Sequence, residues 1–204
     1  GIGGGENCSG SNITIIGDNV DVGTPDNMLE TEATGKLFIK DSGGNNVVGG
    51  DVYLYYVAQD SENPGSLRGD AYIEPMTKVT GSLTIITEDG DIIGYDLIVD
   101  GGKVTLYTNA LDNVVYTPNP ATDLENRGYV DLNSIQAVNG GSVVIQANGS
   151  VTLRNQYNGT DRFYTSNTVS GTGSSVTINT ADGNVTANDM IVEQGGILTV
   201  HTGD

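Results

Sequence analysis

Apolar and polar residues alternate along this chain in short runs, and a glycine stands ahead of most of them. The pattern Gly, any residue, apolar, any residue, apolar begins at Gly35, Gly50, Gly69, Gly81, Gly102, Gly128, Gly141, Gly149, Gly183 and Gly196. A period of two puts the third and fifth residues on one face of a strand. The intervening Thr, Ser, Tyr and Asp then lie on the other face, so each copy reads as a turn followed by a short, half-buried strand.

The copies are unevenly spaced, but three steps agree. Leu83 to Val104 and Val130 to Val151 are each 21 residues, and Val176 to Leu198 is 22. That length suits one coil of a parallel β-helix, in which strands stack and corner loops vary. The expected fold is therefore all-β, a right-handed parallel β-helix (β-solenoid) with irregular coils. The alternative is a β-sandwich or jelly roll, in which the same strands pair antiparallel through hairpins. Asp89-Gly90 is the clearest hairpin signal, between Ser82 to Thr87 and Asp91 to Val99. Residues 1–204 read as a single β domain, with 81–204 its most repeat-like portion and 1–34 an N-terminal arm or capping segment.

Helices play little part in this reading. Thr24 to Glu30 has an N-cap candidate, Pro25 at the first helical position and an acidic first turn, which predicts one short helix that could cap a coil. Pro120 to Gly128 predicts another turn or two. Asp60 to Gly65 reads as an exposed loop. In the strand Val52 to Val57, Val52, Leu54 and Tyr56 share one face and Tyr53, Tyr55 and Val57 the other, so both faces are expected to be at least partly covered in an internal strand between two layers. The other reading of this strand is an aromatic surface for a neighbouring subunit or for sugar rings.

The runs Gly81 to Asn109 and Asn139 to Asp204 carry short strands of the Gly-Ser-Val-Thr-Leu type between Asn-Gly and Asp-Gly corners, as in Val143 to Leu153. Over about half of the chain they resemble the repeats of filamentous-haemagglutinin-like and autotransporter-type β-helical surface proteins. The resemblance implies an extracellular, cell-surface β-helix and brings no catalytic motif with it. Residues 1–80, richer in Tyr, Pro and charge, depart from that pattern.

Composition narrows the function. With 30 Gly, 20 Asn, 13 Ser and 22 Thr among 204 residues the chain is built for strands and tight turns, and its recurrent β-branched residues set it apart from disordered sequences. A net charge of −18 disfavours nucleic acid and anionic membrane surfaces as partners. Its apolar runs are far shorter than the roughly 20 residues of a membrane helix. The lone Cys8 is read as an inert thiol or, alternatively, an intermolecular cross-link. The chain does not begin with Met and Gly1 to Gly10 holds no apolar leader, so it reads as a mature form whose leader has been removed.

Candidate chemistry is sparse. His201 is the single histidine and is expected on the surface, and no nucleophile motif accompanies it. Parallel β-helices include polysaccharide lyases and hydrolases, the third reading here, but Lys and Arg are scarce and the chain is not expected to be an enzyme. Calcium is the candidate cofactor, with Asp89 and Asp91 first among its ligands and the turns Asp18 to Asp21 and Asp182 to Asn184 behind them. Sequons occur at Asn7, Asn12, Asn148, Asn158 and Asn184, as the abundance of Asn, Ser and Thr makes ordinary. What remains is a surface function. The first expectation is an extracellular structural subunit that forms a homo-polymer (a filament, pilus-like fibre or sheath) through strand contacts at Ile2, Ile13, Ile15, Leu198 and Val200. The alternative is an adhesin or carbohydrate-binding module that meets surface glycans.

Overall fold

The computed structural model describes residues 12–22, 29–32, 36–59, 71–73, 76–87, 91–108, 128–154 and 166–203. These residues form strands and turns, and no helix among them is long and apolar enough to cross a membrane. Two sheets hold the strands, and every pairing in both is parallel.

The first sheet contains β1 (Asn12–Ile16), β4 (Lys36–Lys40), β5 (Val47–Val48), β7 (Ala71–Ile73), β8 (Met76–Val79), β10 (Ile92–Asp100), β12 (Val130–Val138), β14 (Val151–Leu153), β15 (Thr168–Ser170), β17 (Val185–Ala187) and β18 (Ile191–Glu193). The second contains β2 (Val20–Val22), β3 (Leu29–Glu32), β6 (Asp51–Gln59), β9 (Ser82–Thr87), β11 (Lys103–Thr108), β13 (Ser142–Ala147), β16 (Ser175–Thr180) and β19 (Ile197–Thr202). The chain visits the sheets in turn, as in β10 then β11, β12 then β13, and β14 and β15 then β16. Each visit adds a rung beside the previous one.

The register explains the spacing of the repeat. Leu83 pairs with Val104, Val130 with Val151 and Val176 with Leu198, the three steps of 21 or 22 residues. Elsewhere the same geometry spans longer connections, for example from Ile92 to Val130. The described residues of 1–80 pair in the same parallel way, since β1 pairs with β4, β4 with β7 and β2 with β6.

Inward positions align from rung to rung. Val52, Leu83, Val104, Val143 and Val176 form one column, and Leu54, Ile85, Leu106, Ile145 and Ile178 the next. All ten are buried. Burying each such side chain is worth about 1.5–3 kcal/mol, so the stacked columns are the main source of cohesion.

The glycine ahead of each strand has a packing role. Gly50, Gly81, Gly102, Gly141 and Gly196 occupy equivalent places at the entry to the second sheet, with Ser174 in the corresponding place of one rung. A Cβ on Gly81 would lie 2.2 Å from the Gly50 carbonyl oxygen, and one on Gly141 would lie 2.1 Å from that of Val99. The backbone of one rung thus occupies the space a side chain would need. The preceding residue makes the turn itself, as Gly140 does at φ 84°.

Three sequence expectations are corrected. Asp89-Gly90 lies outside the described residues, but the strands flanking it form no hairpin, because β9 pairs with β6 and β11 in one sheet and β10 with β7, β8 and β12 in the other. Parallel pairing throughout likewise replaces the antiparallel sandwich. The helix at Thr24 to Glu30 is not formed as drawn, since Leu29 and Glu30 begin β3 and pair with Tyr56 and Val57; Thr24 to Met28 lie outside the described residues. A ready strand partner outweighs a local capping signal. As expected, β6 is internal to its sheet, and Tyr53 on its outer face is partly covered. Val52 and Leu54 are buried, whereas Tyr53 is 37% exposed. The Asp60 to Gly65 loop and the turns from Pro120 to Arg127 lie outside the described residues.

Candidate functional site

The inward columns change character at the last rung. Val169, Val176 and Ile178 are fully buried, but the residues paired with Val169 and Ile178, Val192 and Val200, are 45% and 43% exposed. Leu198, paired with Val176, packs against the core and is only partly buried. Chemically these are core residues. They lack a covering rung among the described residues, and the outer edges of β17, β18 and β19 have no strand partner there.

The opposite end is built from the same parts. Among the described residues β1 pairs only with β4, and β2 and β3 only with β6. Ile15 packs on the core and Ile16 is exposed. Val20 heads the column that Leu198 ends. Two parallel edges of matching kind therefore stand at opposite ends of the stack. Of the residues expected to mediate assembly, Ile15, Leu198 and Val200 fall on these ends, Ile13 lies in β1, and Ile2 lies outside the described residues.

Carboxylates serve mainly to tie rungs together. Asp91 accepts a hydrogen bond from the Tyr129 amide at 2.9 Å, while its partner in the calcium reading, Asp89, lies outside the described residues. Asp18 accepts from the Ser42 amide and hydroxyl, and Asn19 Oδ1 accepts from the Asp51 amide. Asp96 accepts from Asn133 and Ser134, both at 2.7 Å. No group of three or more metal-ligating side chains gathers among the described residues. Asp131 pairs with Arg154, and Asp100 with Lys78.

Two carboxyls sit below the ordinary carboxylate range. Lys78 and then Asn139 hold that of Asp100 down, and Asn45 does so for Asp41. Their stabilising contribution is therefore present above the unfolded value near 3.8 and lost as the pH falls through the lowered folded value. Repulsion among the remaining acids acts in the opposite sense at neutral pH. Salt or millimolar calcium is expected to raise the melting temperature by a few degrees, equivalent to about 1 kcal/mol in a chain of this size. An unchanged melting temperature between chelator and calcium would refute this.

The remaining candidates are dispersed. His201 is exposed beside Asn179 on the outer face of the second sheet. Asn184 is exposed and Asn148 half-buried at turns, and Asn12 begins β1. Asn7, Cys8 and Asn158 lie outside the described residues. The sequence reading missed a buried corner. Fully buried Asn167 accepts a hydrogen bond from the Ile135 amide at 2.9 Å and donates to the Asn188 carbonyl at 2.7 Å. Its signal was the break in alternation at Ser134-Ile135, two successive buried residues where β12 passes from pairing with β14 to pairing with β15.

Neither a family model, a curated protein nor a solved structure matches this chain.

Proposed function

We propose that the chain is a parallel β-solenoid that serves as an extracellular structural subunit and joins copies of itself end to end. The alternation between two parallel sheets supports the solenoid, and the general rule for parallel crossovers supports a right-handed one. The observation that carries the assembly reading is the exposure of Val192 and Val200, whose neighbours in the preceding rungs of the same columns, such as Val169 and Ile178, are fully buried. Covering Val200 with the β2 edge of a second copy continues its column, and β1 of that copy meets β17 at the other end of its own lane, so the open strand edges are paired beside Val192. Such a contact is heterologous and does not close, so it propagates as a filament.

The chemistry of the surface fits this role. Most described acids sit at turns or in rung-to-rung hydrogen bonds, as expected of a solvated scaffold rather than of a catalytic centre. The direct test is negative-stain microscopy and sedimentation of the wild type beside Val192→Lys/Val200→Lys. Both side chains are exposed in the single subunit, so the variant is expected to fold and to form no filaments under conditions in which the wild type does. Filaments of equal length in both, or a wild type that stays monomeric at high concentration, would overturn the proposal.

A further inference from the structure

A second surface differs in charge from the rest of the molecule. On β9, β11, β13, β16 and β19, three positions per strand point outward from the second sheet. None of them is Asp or Glu, although the chain contains 26 such residues; the acids of this sheet's outer face, Asp51 and Asp21, stand at its other end on β6 and β2. The central column is Thr84, Thr105, Val144, Thr177 and Thr199, aligned by pairing and half-buried throughout. Lys103 and His201 are the only basic groups on this face, and Ser175 donates a hydrogen bond to Ser142 across rungs at 3.1 Å. The outer face of the first sheet, in contrast, carries Asp100, Asp131 and Glu193.

We infer that this carboxylate-free face is a lateral contact for a second copy of the chain, so that filaments bundle face to face. This rests on the end-to-end reading above for the filament and on the face itself for the partner. Charge selects the partner. In a molecule of net charge −18, this is a surface on which two copies can meet without bringing carboxylates together. Periodicity supports the same choice, because hydroxyl rows repeating at the rung spacing of about 4.8 Å are commensurate with an identical array. A neutral polysaccharide is the other uncharged partner, but sugar rings stack on aromatic side chains. Tyr107 is the only tyrosine on these five strands, and the exposed Tyr53 stands beside them on β6, at the edge of the face.

The area sets the strength. Five rungs about 4.8 Å apart and strands about six residues long give a face on the order of 450–500 Å². A stable pair of proteins buries about 800 Å² on each partner. The contact is therefore weak between single subunits and becomes lasting when many act together along a filament.

The test introduces charge onto the face with Thr105→Glu/Thr177→Glu, folding being checked by circular dichroism. Wild-type filaments are expected to bundle and those of the variant to remain single, at unchanged length. The same face is examined without filaments in Val192→Lys/Val200→Lys, where sedimentation is expected to show a weak dimer that the added glutamates abolish. Loss of filaments in the wild type with this dimer retained would overturn the end-to-end reading and support the lateral one. Bundles of unchanged width in the glutamate variant would overturn the lateral reading. Retention of wild-type protein on insoluble cellulose, lost in Tyr107→Ala while bundling persists in the glutamate variant, would assign the face to a glycan instead.

Discussion

Gly141→Ala is expected to destabilise the fold by about 3 kcal/mol or more, at the upper end of the range for overpacked sites. The added Cβ would lie 2.1 Å from the Val99 carbonyl oxygen and 2.9 Å from that of Val138. Both atoms are backbone, so no side chain can swing away to make room. Moving Val99 disturbs the pairing of β10 with β12, and Gly141 itself donates its amide to Val138. Gly140→Ala is the matched control. Its φ is 84°, but nothing lies within 4 Å of the new Cβ, so only the left-handed backbone is strained, at about 1–2 kcal/mol. Urea denaturation of the two variants separates close approach from backbone conformation. Equal midpoints would show that the glycine column merely turns the chain.

That distinction marks how far the sequence could be read. The recurring glycine and the period of two were visible, and Leu83, Val104, Val130, Val151, Val176 and Leu198 were already spaced as their register requires. The reason for the glycine was not visible. A turn residue and a residue crowded by the neighbouring rung look alike until the rung beside it is known. Gly140 and Gly141 are adjacent and identical in sequence, yet play these two different parts.

Other features depended on partners distant in sequence. Leu29 and Glu30 follow a good helix-start signal, but a strand forms because Tyr56 and Val57 offer it an edge. Which face of β6 turns outward was not legible from alternating apolar residues on both; Tyr53 is 37% exposed because it aligns with Thr84 and Thr105 on an outer face. The open ends were legible only as apolar strands. Leu198 and Val200 have the same character as Val176 and Ile178, and their position in the stack, rather than their chemistry, leaves them uncovered.

The buried corner yields the second large effect. Asn167→Leu is expected to destabilise the fold by about 2–4 kcal/mol, since it leaves the buried Ile135 amide unpaired at about 1–3 kcal/mol and removes the part-buried bond to the Asn188 carbonyl at about 1 kcal/mol, beyond any strain in fitting leucine. Both partners belong to other rungs, so the side chain joins three levels of the stack at the point where the strands bend. Asn167→Asp keeps the shape but can only accept when ionised, and it would aim a buried charge at the Asn188 carbonyl. Burial and that carbonyl raise its pKa above the unfolded value, so the penalty is largest at neutral pH and shrinks as the pH falls through the raised folded value. Urea midpoints at pH 7 and pH 5 are therefore expected to converge towards the wild type for the aspartate variant and to keep a constant deficit for the leucine variant. Asn188→Ala supplies the exposed reference, because it removes only a hydrogen bond to the Arg154 carbonyl at the surface, worth about 1 kcal/mol. A leucine variant within about 1 kcal/mol of the wild type would show that Asn167 fills the corner without holding it together.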